Sequence, residues 1–150
     1  MPDVPRRFDP LSWPPVWLAL CAAVAWGAGR VWPTAVLPRA GWALVALGLA
    51  LMGIAALTMM RAGATVDPTR EPTALVTHGI FRWSRNPIYL ADAIILAGLC
   101  LIWQPVAALL LVPGFAWIVT RRFIAREEAW LRARDPAAFA AWAARTRRWL

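Results

Sequence analysis

Three long apolar regions alternate with polar segments along the chain, and the third is long enough for two helices. The clearest run, residues 40–60, is uncharged over 21 residues. At about 1.5 Å per helical residue it is long enough to cross a hydrocarbon layer of about 30 Å. The pattern predicts an all-α, polytopic transmembrane helix bundle of about four spans, which form a single domain over residues 1–150. The predicted spans are residues 13–30, 40–60, 87–103 and 105–121.

The second run also contains Gly41, Gly48 and Gly53. Glycines at a helix surface let two backbones approach closely, so these three residues predict close packing against a neighbouring helix.

The apolar region after residue 86 is too long for one upright helix and is interrupted at Gln104-Pro105. A helical hairpin turning at this dipeptide is one interpretation. A single tilted, kinked helix is the alternative, and it would leave the C-terminal segment on the opposite side of the membrane.

Arginine distribution favours the hairpin. With four spans, fourteen of the sixteen basic residues lie on one side, and only Arg30 and Arg39 lie on the other. The positive-inside rule then predicts that both termini are cytoplasmic. The arginines flank apolar runs and form no separate basic module, which argues against nucleic-acid binding. Prolines and acids interrupt the first residues, so we expect no cleaved signal peptide.

Cysteine and histidine are too few for a metal centre or a disulfide framework. Cys21 and Cys100 lie inside apolar runs, and the chain has one histidine. We therefore predict no metal site.

The polar segment 61–86 is longer than an ordinary connection between packed helices. It leads into H-G-I-F-R-W-S-R-N-P-I-Y-L at residues 78–90. Asn86 suits the N-cap of a helix and Pro87 its first position. A simple capped loop at the membrane interface is one reading. It leaves the nearby His78, Gly79, Arg82 and Tyr89 unexplained.

A pair of acids, Glu127 and Glu128, follows the last apolar run in the segment 122–150, for which we predict a cytoplasmic amphipathic helix. Adjacent acids are often a solvated, salt-bridged face. Because adjacent helical residues point about 100° apart, we expect at most one of them to face a site. Four spans bring both residues to the membrane face that carries residues 78–89.

Together these segments resemble the isoprenylcysteine carboxyl methyltransferase family and the related phospholipid N-methyltransferases. The resemblance rests on R-N-P-I-Y-L followed by E-E, and it extends over the loop from Ala62 and the tail to Leu150. Asn86 stands where the eukaryotic enzymes have His, which resembles the bacterial branch. Phe139 and Trp142 replace usual tyrosines, and Ala91 replaces a usual glycine. This resemblance implies a multi-pass protein of the bacterial inner membrane.

The resemblance also implies S-adenosylmethionine as cofactor and a hydrophobic or lipid-like acceptor that enters from the bilayer. Arg85 and Glu127 are the implied catalytic residues. The implied cofactor-binding residues are His78, Gly79, Ile80, Arg82, Arg85, Asn86, Pro87, Tyr89, Leu90, Glu127 and Glu128. The acceptor group is open between a carboxylate, an amine and a hydroxyl.

Three points remain open. A membrane reductase of the steroid-reductase type, using NADPH, has a similar helical end. A non-catalytic membrane protein is a further alternative. Asp92 lies one turn after Tyr89, and an acid inside a membrane span suggests a function, although it is shallow enough to reach the interface.

Overall fold

The computed structural model describes residues 10–32, 37–67, 69–103 and 106–150, and these residues are helical or irregular, without a β-strand. The α-helices are α1 (Pro14–Val31), α2 (Pro38–Arg61), α3 (Pro87–Trp103), α4 (Leu111–Val119), α5 (Ala125–Arg134) and α6 (Pro136–Arg145). Short 3-10 turns cover Pro10–Ser12, Gly79–Arg82 and Val106–Leu110. The all-α prediction is confirmed.

Two helical segments, Pro38–Arg61 and Val106–Arg134, are long and apolar enough to cross a membrane. The shorter helix α3 is also apolar and packs against both of them. Helix α1 packs on α3 and α4. These apolar helices therefore pack into a helical bundle, as the sequence predicts.

The last helical segment extends beyond the predicted span 105–121. It continues through a π-helical turn, Thr120–Ile124, directly into α5. A π turn adds a residue to the local repeat and rotates the helix that follows it. Phe123 and Ile124 within this turn are buried against the bundle. The turn therefore connects the apolar half of this segment to the half that carries the two glutamates.

Helices α2 and α3 meet through glycines. A Cβ atom added to Gly41 would lie 2.7 Å from the carbonyl oxygen of Gly98, and one added to Gly48 would lie 2.9 Å from that of Ala91. Real Cβ atoms do not approach backbone oxygen so closely, so both positions require glycine. Close packing is thus confirmed for Gly41 and Gly48. The expectation is wrong for Gly53, where an added Cβ would have nothing within 4 Å.

The region after residue 86 folds as a hairpin. The Cys100 thiol near the end of α3 donates a hydrogen bond to the carbonyl of Ala108, at 3.3 Å. At the other end of the hairpin the rings of Tyr89 and Phe123 lie 6.5 Å apart. These contacts require two antiparallel arms, which rules out the single tilted helix. The predicted turn at Gln104-Pro105 lies outside the described residues.

A second apolar cluster joins the segment after α2 to α6. Its buried members are Ala55, Ala64, Val76, Phe81, Phe139 and Trp142. Asp135 begins α6 by accepting a hydrogen bond from the backbone N–H of Ala138, at 2.9 Å. Helix α5 therefore ends and α6 begins at Asp135-Pro136. This cluster holds α6 over the polar end of the bundle.

Candidate functional site

The site is built around the first turn of α3. Pro87 occupies the first helical position, and the N–H of Leu90 donates to the carbonyl of Asn86 at 3.0 Å. Asn86 is thus the residue from which the helix starts. Its side-chain amide, however, donates to the backbone carbonyl of Arg148, at 3.0 Å. The residue that was predicted as a local cap therefore also fixes a distant segment.

Residues 146–150, here the terminal segment, run along the residues that precede α3. The backbone N–H of Arg85 donates to the carbonyl of Arg147 at 3.0 Å. The Ser84 hydroxyl donates to the carbonyl of Arg148 at 3.4 Å and accepts from the backbone N–H of Asn86 at 3.1 Å. Ser84 and Asn86 are both buried. These bonds hold the backbone before α3 in one conformation.

Glu128 is a buried carboxylate that binds two arginines. Its Oε1 atom lies 3.3 Å from Nη2 of Arg85. Arg148 binds the same carboxylate with both ends of its guanidinium, at 3.1 Å and 2.6 Å. Hydrogen bonding to Glu128 raises the pKa of Arg148, since the bonded guanidinium is stabilised in its charged form. The terminal segment therefore contributes a charge to the site as well as backbone carbonyls.

Arg85 is not saturated by this pair. Its Nε atom is buried and has no hydrogen-bond partner among the described residues. A buried donor without an acceptor destabilises the protein. A ligand with an acceptor atom at this position would therefore be stabilised by a hydrogen bond from Arg85. Arg85 also lies 6.0 Å from the ring of Phe139, which supports the guanidinium from one side.

Glu127 has a different partner. The Tyr89 hydroxyl donates to its Oε1 atom at 2.5 Å, and Tyr89 is 6% exposed. Glu127 and Glu128 both line the cavity described below. The sequence predicts at most one of them at a site, and which of them contacts a ligand stays a prediction. The two side chains point about 100° apart around α5. Tyr89 of α3 contacts Glu127, and Arg148 of the terminal segment contacts Glu128, so both carboxylates have a partner.

A cavity of about 370 Å³ lies beside these groups. Its volume falls within the range of about 300–1,000 Å³ that is typical of small-molecule sites. Six of the residues expected at the site line it: Arg85, Asn86, Pro87, Tyr89, Glu127 and Glu128. Two regions that are distant in sequence, the start of α3 and the start of α5, therefore meet at one cavity wall.

The other five expected residues lie elsewhere. His78, Gly79 and Arg82 are exposed, and Ile80 packs against the second apolar cluster. Leu90 is half-buried on α3 outside the cavity wall. Gly79 has a φ of +59°, which favours glycine at the start of the 3-10 turn. This turn positions Phe81, which does line the cavity and accepts a hydrogen bond from the Trp142 indole N–H at 3.0 Å.

Sequence reasoning missed most of the apolar wall. The missed residues come from the start of α1, from α2, from the segment 65–76 and from the C-terminal helices: Pro14, Pro15, Met52, Ala56, Met59, Val66, Leu75, Val76, Leu131 and Trp142. No local pattern distinguishes them from ordinary lipid-facing or core residues. Asp92 also lines the cavity and is 4% exposed.

The segment after α2 forms the outer edge of the cavity. Asp67 accepts hydrogen bonds from the Thr69 hydroxyl at 2.6 Å and from its N–H at 2.9 Å. These bonds lower the pKa of Asp67 below its ordinary value. Asp67 also pairs with Arg70 at 3.2 Å, and both residues line the cavity. This edge is therefore a structured turn.

Comparison with known protein families identifies the chain. The model of the phospholipid methyltransferase family matches residues 37–134, which is more than half of the sequence. The chain belongs to this family. No curated protein and no solved structure matches it significantly.

Family membership establishes the chemistry in outline. Phospholipid methyltransferases are membrane enzymes that use S-adenosylmethionine and act on lipid-type acceptors. The predicted enzyme class and cofactor are therefore confirmed. The match includes α2, α3, α4 and α5, and with them Arg85 and both glutamates. It ends before Arg148, so the second guanidinium on Glu128 lies outside the matched region.

Proposed function

We propose that this chain transfers a methyl group from S-adenosylmethionine to a hydrophobic acceptor in the cavity between α2, α3 and α5. The observation that carries the proposal is the buried Nε donor of Arg85, which has no partner among the described residues and belongs to a residue that lines the cavity. S-adenosylmethionine has a carboxylate that suits this donor. When bound, the cofactor supplies a methyl group on an electrophilic sulfonium.

The two glutamates have separate roles in this proposal. Glu128 positions Arg85, since its carboxylate is already engaged by two guanidiniums. Among the residues that the structure describes, Glu127 accepts one hydrogen bond, from Tyr89, and it retains acceptor capacity for an ammonium or a ribose hydroxyl of the cofactor. Tyr89 fixes the orientation of that carboxylate. Arg85 and Glu127 are therefore the residues that we expect to contact ligand.

Alignment and exclusion of water supply most of the rate enhancement in a displacement of this kind. The apolar wall of Met52, Ala56, Met59 and Leu131 excludes water from the reacting groups. The same wall suits the apolar part of an acceptor. Family membership favours this function over the reductase and non-catalytic alternatives.

The membrane orientation belongs to the same proposal. We expect four spans, both termini in the cytoplasm and a location in a bacterial inner membrane. The arginine asymmetry of the sequence supports this orientation. The kinship with the isoprenylcysteine carboxyl methyltransferases, suggested by R-N-P-I-Y-L and E-E, also stays a prediction.

Direct binding tests the proposal. Isothermal titration of detergent-purified protein with S-adenosylhomocysteine should give saturable binding, and NADPH should not bind. Arg85→Ala and Glu127→Ala should each weaken binding by roughly 10- to 100-fold, the loss that removal of one charge-assisted hydrogen bond causes.

Arg82→Ala is the matched comparison, because Arg82 precedes α3 as Arg85 does but lies outside the cavity wall. We expect it to bind like the wild type. Wild-type protein that binds NADPH and no S-adenosylhomocysteine would contradict the proposal. Equal effects of Arg82→Ala and Arg85→Ala would contradict the assignment of Arg85.

A further inference from the structure

The two arginines that bind Glu128 share its carboxylate unequally. Arg148 engages it side-on, because its Nε atom donates to Oε1 at 3.1 Å and its Nη2 atom donates to Oε2 at 2.6 Å. Arg85 approaches the same carboxylate through Nη2, which lies 3.3 Å from Oε1. Two parallel N–H···O bonds make the stronger and more specific arginine–carboxylate pair. Arg148 is therefore the principal partner of Glu128.

The Nε atom of Arg85 depends on this arrangement. It is buried, and it has no hydrogen-bond partner within the part of the chain that the structure describes. To bond Glu128 through Nε and Nη2 together, Arg85 would need the edge of the carboxylate at which both oxygens face the same way. A carboxylate has one such edge, and the guanidinium of Arg148 occupies it. Arg148 therefore prevents Glu128 from taking the second donor of Arg85.

The backbone around Arg148 is held in place on both sides. Its own carbonyl accepts hydrogen bonds from the Asn86 side-chain amide at 3.0 Å and from the Ser84 hydroxyl at 3.4 Å. The indole N–H of the next residue, Trp149, donates to the Thr120 hydroxyl at 3.3 Å. Arg148 does not line the cavity, so its effect on a ligand has to be indirect.

We propose that Arg148 is a positioning residue for S-adenosylmethionine binding: by occupying Glu128 side-on, it keeps the Nε donor of Arg85 free for the carboxylate of the cofactor. This inference rests on the proposed function, in which Arg85 binds that carboxylate. Arg148 lies beyond the segment 37–134 that matches the phospholipid methyltransferase family. Without Arg148, Glu128 pairs side-on with Arg85, and the cofactor has to compete with Glu128 for the donor.

Two ligands that differ in the group bound by Arg85 test this role. S-adenosylhomocysteine has the amino-acid carboxylate of the cofactor, whereas 5′-methylthioadenosine lacks the amino-acid part. Isothermal titration of the full chain in lipid nanodiscs measures both dissociation constants. Arg148→Ala should weaken S-adenosylhomocysteine binding roughly 10- to 100-fold, the loss of one charge-assisted hydrogen bond. It should leave 5′-methylthioadenosine binding unchanged, whereas a general disturbance of the fold would weaken both.

A second substitution gives a rescue that a purely structural role does not predict. In the double variant Arg148→Ala, Glu128→Gln, the neutral amide has one acceptor oxygen and cannot form the side-on pair with Arg85. S-adenosylhomocysteine should therefore bind more tightly to the double variant than to Arg148→Ala alone.

Arg147→Ala is the matched control. It removes a positive charge from the neighbouring position, where the side chain is exposed. Alanine retains the backbone carbonyl that accepts from the N–H of Arg85. We expect this variant to bind both ligands like the wild type.

The outcomes separate this inference from the proposed function. Wild-type protein that does not bind S-adenosylhomocysteine contradicts the proposed function itself. Where the wild type binds it, unchanged binding to Arg148→Ala overturns only the role of Arg148. Equal losses for the two ligands, or a folded double variant that binds no better than Arg148→Ala, overturn that role as well. If the double variant does not fold, the comparison of the two ligands on Arg148→Ala decides.

Discussion

The two ends of helix α3 are packed in different ways. At its C-terminal end, Gly98 meets Gly41 of α2 backbone to backbone, and a Cβ on Gly29 of α1 would overlap the carbonyl oxygen of Trp103. At its N-terminal end, Tyr89 and Asp92 border a cavity of about 370 Å³.

The C-terminal end of α3 therefore serves helix packing, and its N-terminal end borders the candidate site. At the C-terminal end, close backbone contact allows only one arrangement of the helices, because backbones in contact cannot repack as side chains can. The open end needs other restraints, and hydrogen bonds and ion pairs from the terminal segment supply them. Substitutions at the two ends should therefore fail in different ways.

The largest effect should come from Glu128→Ala at the open end. It removes the partner of Arg85, whose side chain is 13% exposed, and leaves a buried charge unpaired. We expect a loss of about 3–5 kcal/mol in the free energy of unfolding. Chemical unfolding in detergent, followed by tryptophan fluorescence, measures it.

Glu127→Ala is the matched control for that change. It removes a carboxylate that is bonded to the neutral Tyr89 hydroxyl, so it should cost less stability than Glu128→Ala while still weakening ligand binding. Equal losses of stability in the two variants would contradict the separate roles of the glutamates.

A smaller effect is expected from Gly98→Ala at the closed end. The new Cβ would lie 2.6 Å from the carbonyl oxygen of Gly41, so the helices must separate. Overpacking of this kind costs about 1–3 kcal/mol. Thermal unfolding in detergent measures it. In protein that remains folded, S-adenosylhomocysteine should bind with nearly wild-type affinity, because the contact is remote from the cavity.

Gly53→Ala is the control on the neighbouring helix. Nothing lies within 4 Å of its added Cβ, so this change should be neutral or slightly stabilising, since alanine favours a helix by about 1 kcal/mol over glycine. A similar destabilisation by both substitutions would show that helix packing does not depend on the contact between Gly41 and Gly98.

The smallest effect should come from Thr69→Val at the outer edge of the open end. Loss of the hydroxyl donor should raise the pKa of Asp67 towards its ordinary value. A lowered pKa stabilises the folded state above the ordinary pKa of about 3.9, and that contribution disappears as the pH falls through the folded-state pKa. The variant should therefore lose less stability on acidification. NMR titration of Asp67 measures the shift; an unchanged pKa would contradict the role of Thr69.

The sequence predicts the helices well because their signals are local. Asn86-Pro87 marks the start of α3, and the uncharged run 40–60 lies within α2. The hairpin also follows from the sequence, through the side on which the arginines lie. Glycine packing is predicted only in part, since Gly41, Gly48 and Gly53 look alike until the face of α2 that meets α3 is known.

The candidate site is less accessible to sequence reasoning because its contacts are long-range. Asn86 bonds to a carbonyl 62 residues away, and no pattern at either position indicates this partner. His78 and Arg82 have the residue types of a site, but the turn between them points both to solvent. Conversely, Met52 and Pro14 look like ordinary membrane residues and line the cavity. Residue types therefore predict the kind of chemistry, whereas the topology determines which residues line the cavity.

The bond between the loop and the terminal segment also has a consequence for biogenesis. Residues 84–86 leave the ribosome long before residues 147 and 148, to which they are bonded in the folded protein. Helices α2 and α3 can therefore pair in the membrane during translation, while the wall of the cavity closes only after α6 has been made. Insertion into the bilayer and completion of the site are thus separate events in time, and a nascent chain can be correctly inserted well before it is able to bind a ligand.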